Sequence, residues 1–215
     1  MSFTPKTEPA WLSAFLSFCH TKRYEKHVDF IRRGEPAESL CYLVEGSVAA
    51  LMDDEEQREI VLAYINTGEF IGEMGLFVPQ TTRSVAIRTR TRCRVAEITY
   101  KRLDHLLDTE LRDHAKAILY AIGHQLSQRL RQTSRKVGHL AFLDVTGRIA
   151  RTLLDLCKQP DAMTHPDGMQ IRITRQEIGR IVGCSREMAG RVLKSLEEQG
   201  LIWVKGKTIV VFGTR

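Results

Sequence analysis

Between Arg112 and Gly138 the chain contains no proline, and Ala115, Leu119, Ile122, Leu126, Leu130, Thr133 and Val137 recur at steps of three and four residues. That spacing predicts a helix of roughly 27 residues, about 40 Å long at 1.5 Å per residue, carrying one apolar stripe. An element of this length is hard to bury within a chain of 215 residues. It either crosses the core of one subunit or pairs along its stripe with a second copy, and the narrow seam favours a homodimer.

The helix also divides the chain, because the sequence changes period on either side of it. From about residue 28 to 100 the apolar runs are short. Leu40-Cys41-Tyr42-Leu43-Val44 leads to Glu45-Gly46, then Ser47-Val48-Ala49-Ala50-Leu51-Met52, the polar turn Asp53-Asp54-Glu55-Glu56, and Glu59-Ile60-Val61-Leu62-Ala63-Tyr64. Thr82 to Thr99 alternates through Val85, Ile87, Cys93, Val95 and Ile98. Such runs between glycine and acidic turns predict an antiparallel roll or sandwich. Short helices are expected over Lys101–Thr109 and Val145–Lys158, with a break at Gly138–Asp144 and an exposed turn at Pro160 to Gly168. The expectation is an α+β chain in two domains, 1–138 and 139–215.

Beyond Ile171 the local signals are denser. Thr174 followed by Glu177 predicts a capping box, Ile178 and Val182 a buried face, and Gly183 a left-handed stop. Ser185 then caps a second helix whose inward face is Met188, Val192, Leu193 and Leu196. Two short helices joined by a glycine-bearing turn form a helix-turn-helix. Leu201–Val204 and Ile209–Phe212, flanking Lys205-Gly206-Lys207, read as a β-hairpin wing. From Arg172 to Arg215 nine Lys/Arg face four Glu, so this segment holds +5 of the net charge of +6. A solvated basic face would have the same composition, but with this motif it points to a polyanion, double-stranded DNA. Arg186, Glu187 and Arg191 lie in the first half of the second helix, where Arg can fork onto guanine and Glu can accept from cytosine.

A second cluster is Gly68-Glu69-Phe70-Ile71-Gly72-Glu73-Met74-Gly75-Leu76-Phe77, with Arg83-Ser84 ten residues after Glu73. A glycine-bearing turn after a strand offers amide donors to an anion. Arg83 adds a cation for a phosphate, and Glu73 an acceptor for sugar hydroxyls. The same residues could also pack as a plain hairpin.

Other classes fit less well. The five cysteines are scattered, with no CxxC, which suits free thiols rather than disulfides or a metal knuckle. A cupin-type metal enzyme would need imidazoles on the strands, and no histidine lies between residues 28 and 104. Gly72-Glu73-Met74-Gly75 is not a P-loop. A haem, oxygen or heavy-metal sensor on the same scaffold finds only Cys19-His20 in its favour. No apolar run approaches a membrane span, and Met1 to Lys6 lacks a signal-peptide pattern, so a cytoplasmic protein that is not an enzyme and needs no metal is expected.

From Ala141-Phe142-Leu143-Asp144-Val145-Thr146-Gly147-Arg148 to Arg215, and at Gly72–Phe77 with Arg83-Ser84, the chain resembles the cyclic AMP receptor branch of the bacterial Crp–Fnr regulators. The resemblance implies a cyclic-nucleotide-binding β-roll, a long dimerisation helix at about 112–138 and a C-terminal winged helix. It implies 3′,5′-cyclic AMP as allosteric effector, with Arg83 and Ser84 on the phosphate, Gly72 and Glu73 in the cassette, and Thr133 and Ser134 on adenine, one from each subunit. It assigns base reading to Arg186, Glu187 and Arg191, and phosphate contacts to Thr174, Arg175, Gln176, Ser185, Lys194 and Lys207 or their neighbours. It further implies palindromic TGTGA-like sites and recruitment of RNA polymerase through the turn 162–168, including Thr164 and His165. The linker Val78-Pro79-Gln80-Thr81-Thr82 departs from the acidic stretch common in the family. A related branch of regulators responds to cyclic di-GMP and replaces the serine after the cassette arginine, whereas Ser84 is present here. A ligand-independent DNA-binding scaffold is the remaining alternative.

Overall fold

The computed structural model describes residues 9–54, 59–79 and 81–214. The readings at Met1–Lys6, Glu55–Glu56, Gln80 and Arg215 lie outside the described residues. Contacts divide the chain into two units, Met1–Met52 with Ala63–Arg131, and Asp53–Leu62 with Gln132–Arg215.

The first part of the chain runs α1 (Ala10–Ser17), β1 (His20–Tyr24), β2 (Asp29–Ile31), β3 (Ser39–Glu45), β4 (Ser47–Asp53), β5 (Glu59–Asn66) and β6 (Phe70–Ile71). A 3₁₀ turn (Glu73–Leu76), β7 (Ala86–Thr89), β8 (Cys93–Thr99) and α2 (Tyr100–Asp108) follow. The strands form two four-stranded sheets, ordered β1-β8-β3-β6 and β2-β7-β4-β5. The antiparallel roll is thus present. It begins earlier than the sequence pattern indicated, because β1 is an edge strand whose His20-Thr21-Lys22-Arg23 run is exposed and carries no apolar alternation.

One face of the first sheet builds the core. Leu40, Tyr42, Phe70, Ala96 and Ile98 pack with Leu12 and Phe15 of α1, Leu103 of α2, and Ile118 and Ile122 of the long helix. Each large side chain buried this way contributes about 1.5–3 kcal/mol. At its other face this sheet is polar at one end, where Lys22, Ser39 and Glu97 meet.

The long helix α3 runs from Arg112 to Phe142. It is longer than the expected 112–138. Gly138 does not end it: the amide of Leu143 still donates to the His139 carbonyl at 3.0 Å. A glycine within a helix costs only about 1 kcal/mol, so the ladder runs on to the next cap. The single stripe read from the sequence is two faces. Ile118 and Ile122 are wholly buried against the roll, with Leu126 packed beside them, whereas Leu119, Leu130 and Val137 are exposed.

The remainder runs α4 (Val145–Leu156), β9 (Met163–His165), β10 (Gly168–Arg172), α5 (Arg175–Val182), α6 (Arg186–Glu198), β11 (Ile202–Lys205) and β12 (Thr208–Phe212). Asp144 caps α4, its carboxylate accepting from the Gly147 amide at 2.8 Å. The four strands form one sheet, ordered β11-β12-β10-β9. The segment expected as an exposed turn is therefore partly a hairpin, with β9 and β10 paired around Pro166-Asp167. Ile149, Leu153, Ile178, Leu193 and Ile209 are the buried centre of this region.

Candidate functional site

In the roll, Gly72 and Arg83, both singled out by the sequence, come together with Ser39 and Tyr100. Gly72 adopts φ 84°, and a β-carbon there would lie 2.4 Å from Arg83 Nη1 and 2.9 Å from the Ser39 carbonyl oxygen. Only glycine lets the guanidinium cross the chain at this point. Arg83 Nη2 donates to the Ser39 carbonyl at 2.7 Å and to the Ser39 hydroxyl at 3.0 Å. Its Nη1 donates to Tyr100 Oη at 3.4 Å, and Tyr100 in turn donates to the Gly72 carbonyl at 2.7 Å. Burial pushes the Tyr100 phenol upward despite the neighbouring guanidinium, so it stays protonated and able to donate. Three of the five N–H donors of Arg83 are thus engaged, and Nε has no partner among the described residues. Ser84 is exposed next to it.

Glu73 is 2% exposed, yet it is paired. Arg129 of α3 donates from Nη1 to Glu73 Oε1 at 2.6 Å, and from Nη2 to the Phe70 carbonyl at 2.8 Å and Glu69 Oε2 at 3.4 Å. One turn earlier, Gln125 exchanges two hydrogen bonds with the Phe70 backbone, accepting from its amide at 2.7 Å and donating to its carbonyl at 2.9 Å. The amide side chain stands where a neighbouring strand would, so α3 closes the open edge of β6. Sequence reasoning missed Gln125, Arg129, Tyr100 and Ser39. A signal for the first two existed: Gln125, Arg129 and Thr133 are polar at i, i+4 and i+8, which places them on one helix face. Thr133 and Ser134 are exposed on α3, and their side chains bond to no described residue.

The second region is the helix-turn-helix. Thr174 Oγ1 accepts from the Glu177 amide at 3.1 Å, and Ser185 Oγ accepts from the Met188 amide at 3.1 Å, so both expected caps are in place. Gly183 has φ 75°, and a β-carbon at Gly179 would meet the Cys184 carbonyl oxygen at 2.6 Å. The turn can therefore lie against α5 only over a glycine. The Thr174 hydroxyl keeps its hydrogen for donation to a further acceptor. Arg175 and Gln176 are exposed at the start of α5, and Arg186, Glu187 and Arg191 on α6. Lys194 pairs loosely with Glu198 at 3.7 Å, and Lys207 is exposed at the tip of the β11–β12 hairpin. Its own amide and the Ser185 hydroxyl hold the Glu187 carboxyl below the usual range, leaving an ionised acceptor at the helix start. Thr164 is exposed on β9, and His165 Nδ1 lies 3.6 Å from Asp167.

Among the described residues no three His, Cys, Asp or Glu side chains cluster as a metal site would require, and no helix is long and apolar enough to cross a membrane.

Residues 21–110 match the family model of the cyclic nucleotide-binding domain, and residues 147–212 that of the Crp-like helix-turn-helix domain. Over its full length the chain is 56% identical to the cAMP-activated global transcriptional regulator Vfr of Pseudomonas aeruginosa, covering 99% of that protein. It is 57% identical to the cAMP-activated global transcriptional regulator CRP of Salmonella typhimurium, with 98% of each chain covered. Among solved structures, that of the c-di-GMP-responsive global regulator CLP of Xanthomonas campestris superimposes with a TM-score of 0.91 at 53% identity, covering 96% of this chain and all of that one.

Proposed function

This chain belongs to the Crp–Fnr family of transcription regulators, and from that premise we propose that it is a cyclic-AMP-responsive, sequence-specific DNA-binding protein acting as a homodimer. The observation that carries the reading is the Arg83 guanidinium held across Gly72, beside a buried Glu73 that accepts from Arg129. A cyclic phosphate supplies an anion for the unbonded Nε–H of Arg83 and for Ser84, and its ribose supplies a hydroxyl for Glu73. Thr133 follows Arg129 by one turn on α3 and so continues the polar face toward adenine, with Ser134 facing the second subunit.

The exposed Leu119, Leu130 and Val137 are the surface for that second subunit, because an apolar row this long gains most by being covered. In this reading residues 1–138 form the ligand-binding and dimerisation domain, and 139–215 the DNA-binding domain. Two-fold symmetry then calls for an inverted-repeat operator, TGTGA-like in each half, with half-site centres about 34 Å apart. Arg186, Glu187 and Arg191 read base edges. Thr174, Arg175, Gln176, Ser185, Lys194 and Lys207 hold phosphates, and the β9–β10 hairpin with Thr164 and His165 touches RNA polymerase. The protein would act in the cytoplasm, where its DNA is.

A second effector class has one observation in its favour, the similarity to a cyclic di-GMP-responsive regulator. Ser84 supports the cyclic mononucleotide. Equilibrium titrations of the wild type and Arg83→Leu with cyclic AMP and cyclic di-GMP in parallel test the choice. The wild type is expected to bind cyclic AMP and Arg83→Leu to lose it; binding of cyclic di-GMP alone would overturn the assignment.

A further inference from the structure

A cavity of about 120 Å³ opens at the polar end of the roll, and Lys22, Ser39, Cys41, Arg83 and Glu97 are among its lining residues. Four of them are joined by hydrogen bonds whose directions are fixed. Lys22 Nζ donates to Glu97 Oε2 at 2.8 Å, and Ser39 Oγ donates to Glu97 Oε1 at 2.8 Å. The same Ser39 hydroxyl accepts from Arg83 Nη2 at 3.0 Å, and its carbonyl accepts from that nitrogen at 2.7 Å. The directions follow from chemistry. An ionised carboxylate can only accept and a guanidinium can only donate, so the one hydrogen of Ser39 goes to Glu97 and its lone pair turns to Arg83. Burial works against the charge on Glu97, but the bonds from Lys22 and Ser39 hold its carboxyl below the usual range. Cys41, in the same cavity, is raised to about 12 by burial and by Glu97, so it adds no competing charge. Without Glu97 the hydroxyl could swing its hydrogen toward Nη2, donor against donor.

We propose that Ser39, oriented by Glu97 and Lys22, is the positioning residue that fixes the direction in which Arg83 presents its remaining N–H groups to the cyclic phosphate. The proposal rests on reading Arg83 as the phosphate ligand, and it adds a specificity determinant to that site. A guanidinium held on one edge meets one exocyclic phosphate oxygen better than the other. A guanidinium released from Ser39 treats the two more evenly.

The two diastereomers of adenosine 3′,5′-cyclic phosphorothioate, which carry sulfur at one or the other exocyclic position, read this directly in equilibrium titrations of the full chain. The wild type is expected to prefer one diastereomer. Ser39→Ala should weaken cyclic AMP binding about ten-fold, the scale of a lost hydrogen bond to a charged group, and reduce the diastereomer preference. Ser39→Thr, which keeps the hydroxyl, should restore both. Glu97→Gln should shift both in the direction of Ser39→Ala, and it carries the comparison should the alanine variant lose its thermal transition. A Ser39→Ala protein that binds cyclic AMP normally, or that loses affinity with its diastereomer preference intact, would overturn the positioning role. If the wild type bound none of the three nucleotides, the Arg83 reading itself would fall and this proposal with it.

Discussion

Glu73 is almost wholly buried, and its charge is met by Arg129 at 2.6 Å. Removing one partner of such a pair leaves an uncompensated charge in a low dielectric, which costs far more than removing both. Arg129→Gln is therefore expected to lower the unfolding free energy by about 3–5 kcal/mol in urea denaturation, while Glu73→Gln/Arg129→Gln recovers most of the loss. Additive losses in the double variant would mean that the two side chains are not coupled. Lys22 and Glu97 give a different signature, because they are partly exposed. The hydrogen bond from Lys22, opposed by burial, holds Glu97 below its usual value of 4.5, and the bond to Glu97 raises Lys22 above 10.5. The Glu97 contribution is fully present above about pH 4.5 and fades as pH falls through its lowered folded value. The Lys22 contribution is fully present below about pH 10.5 and fades as pH rises through its raised folded value. The stability difference between wild type and Lys22→Met should accordingly be flat from about pH 5.5 to 9.5 and shrink at either extreme. A difference that varied across the neutral range would place its origin elsewhere.

The turn between α5 and α6 packs tightly enough that one methyl group matters. A β-carbon at Gly179 would sit 2.6 Å from the Cys184 carbonyl oxygen, so Gly179→Ala must push the turn off α5. A loss of about 1–3 kcal/mol and a misplaced reading helix are expected, checked by thermal denaturation and by operator binding. Unchanged operator affinity in that variant would show that α6 is not held through this contact. These two helices were legible in the sequence because their signals are local: Thr174 and Ser185 cap, Gly183 stops, and Ile178 and Val182 face inward, each within a turn of the next. The roll was legible as a class, but β1 and α1 were not. An exposed edge strand such as His20–Tyr24 has no alternation to read, and the eight-residue α1 is too short for its period to stand out. The proximity of Gly72 and Arg83 was legible from the glycine-bearing turn and the arginine that follows it. Arg129 and Gln125 were not, because they approach from residues more than fifty positions away and lie on a helix whose apolar spacing is a stronger signal than its polar face.

At the scale of the whole molecule, the proposed function requires that a ligand site in the roll be coupled through α3 to a DNA reader past residue 144. Arg129 and Gln125 bond this helix to Glu73 and Phe70, so under the proposed function a ligand that moves Glu73 would act on α3 as well. Coupling needs only that the ligand favour one arrangement of the helices over another by a few kcal/mol. Ser134→Ala should then bind cyclic AMP yet reach only part of the wild-type operator affinity at saturation, since it loses the contact expected from the second subunit. Full activation of Ser134→Ala would remove the adenine contact from the switch. The most direct measurement is fluorescence anisotropy of a labelled inverted-repeat TGTGA duplex titrated with the protein, with and without saturating cyclic AMP at fixed salt. Affinity for the operator should rise at least about a hundred-fold with cyclic AMP, while affinity for a scrambled duplex stays low. Equal operator affinity with and without the nucleotide would contradict the account.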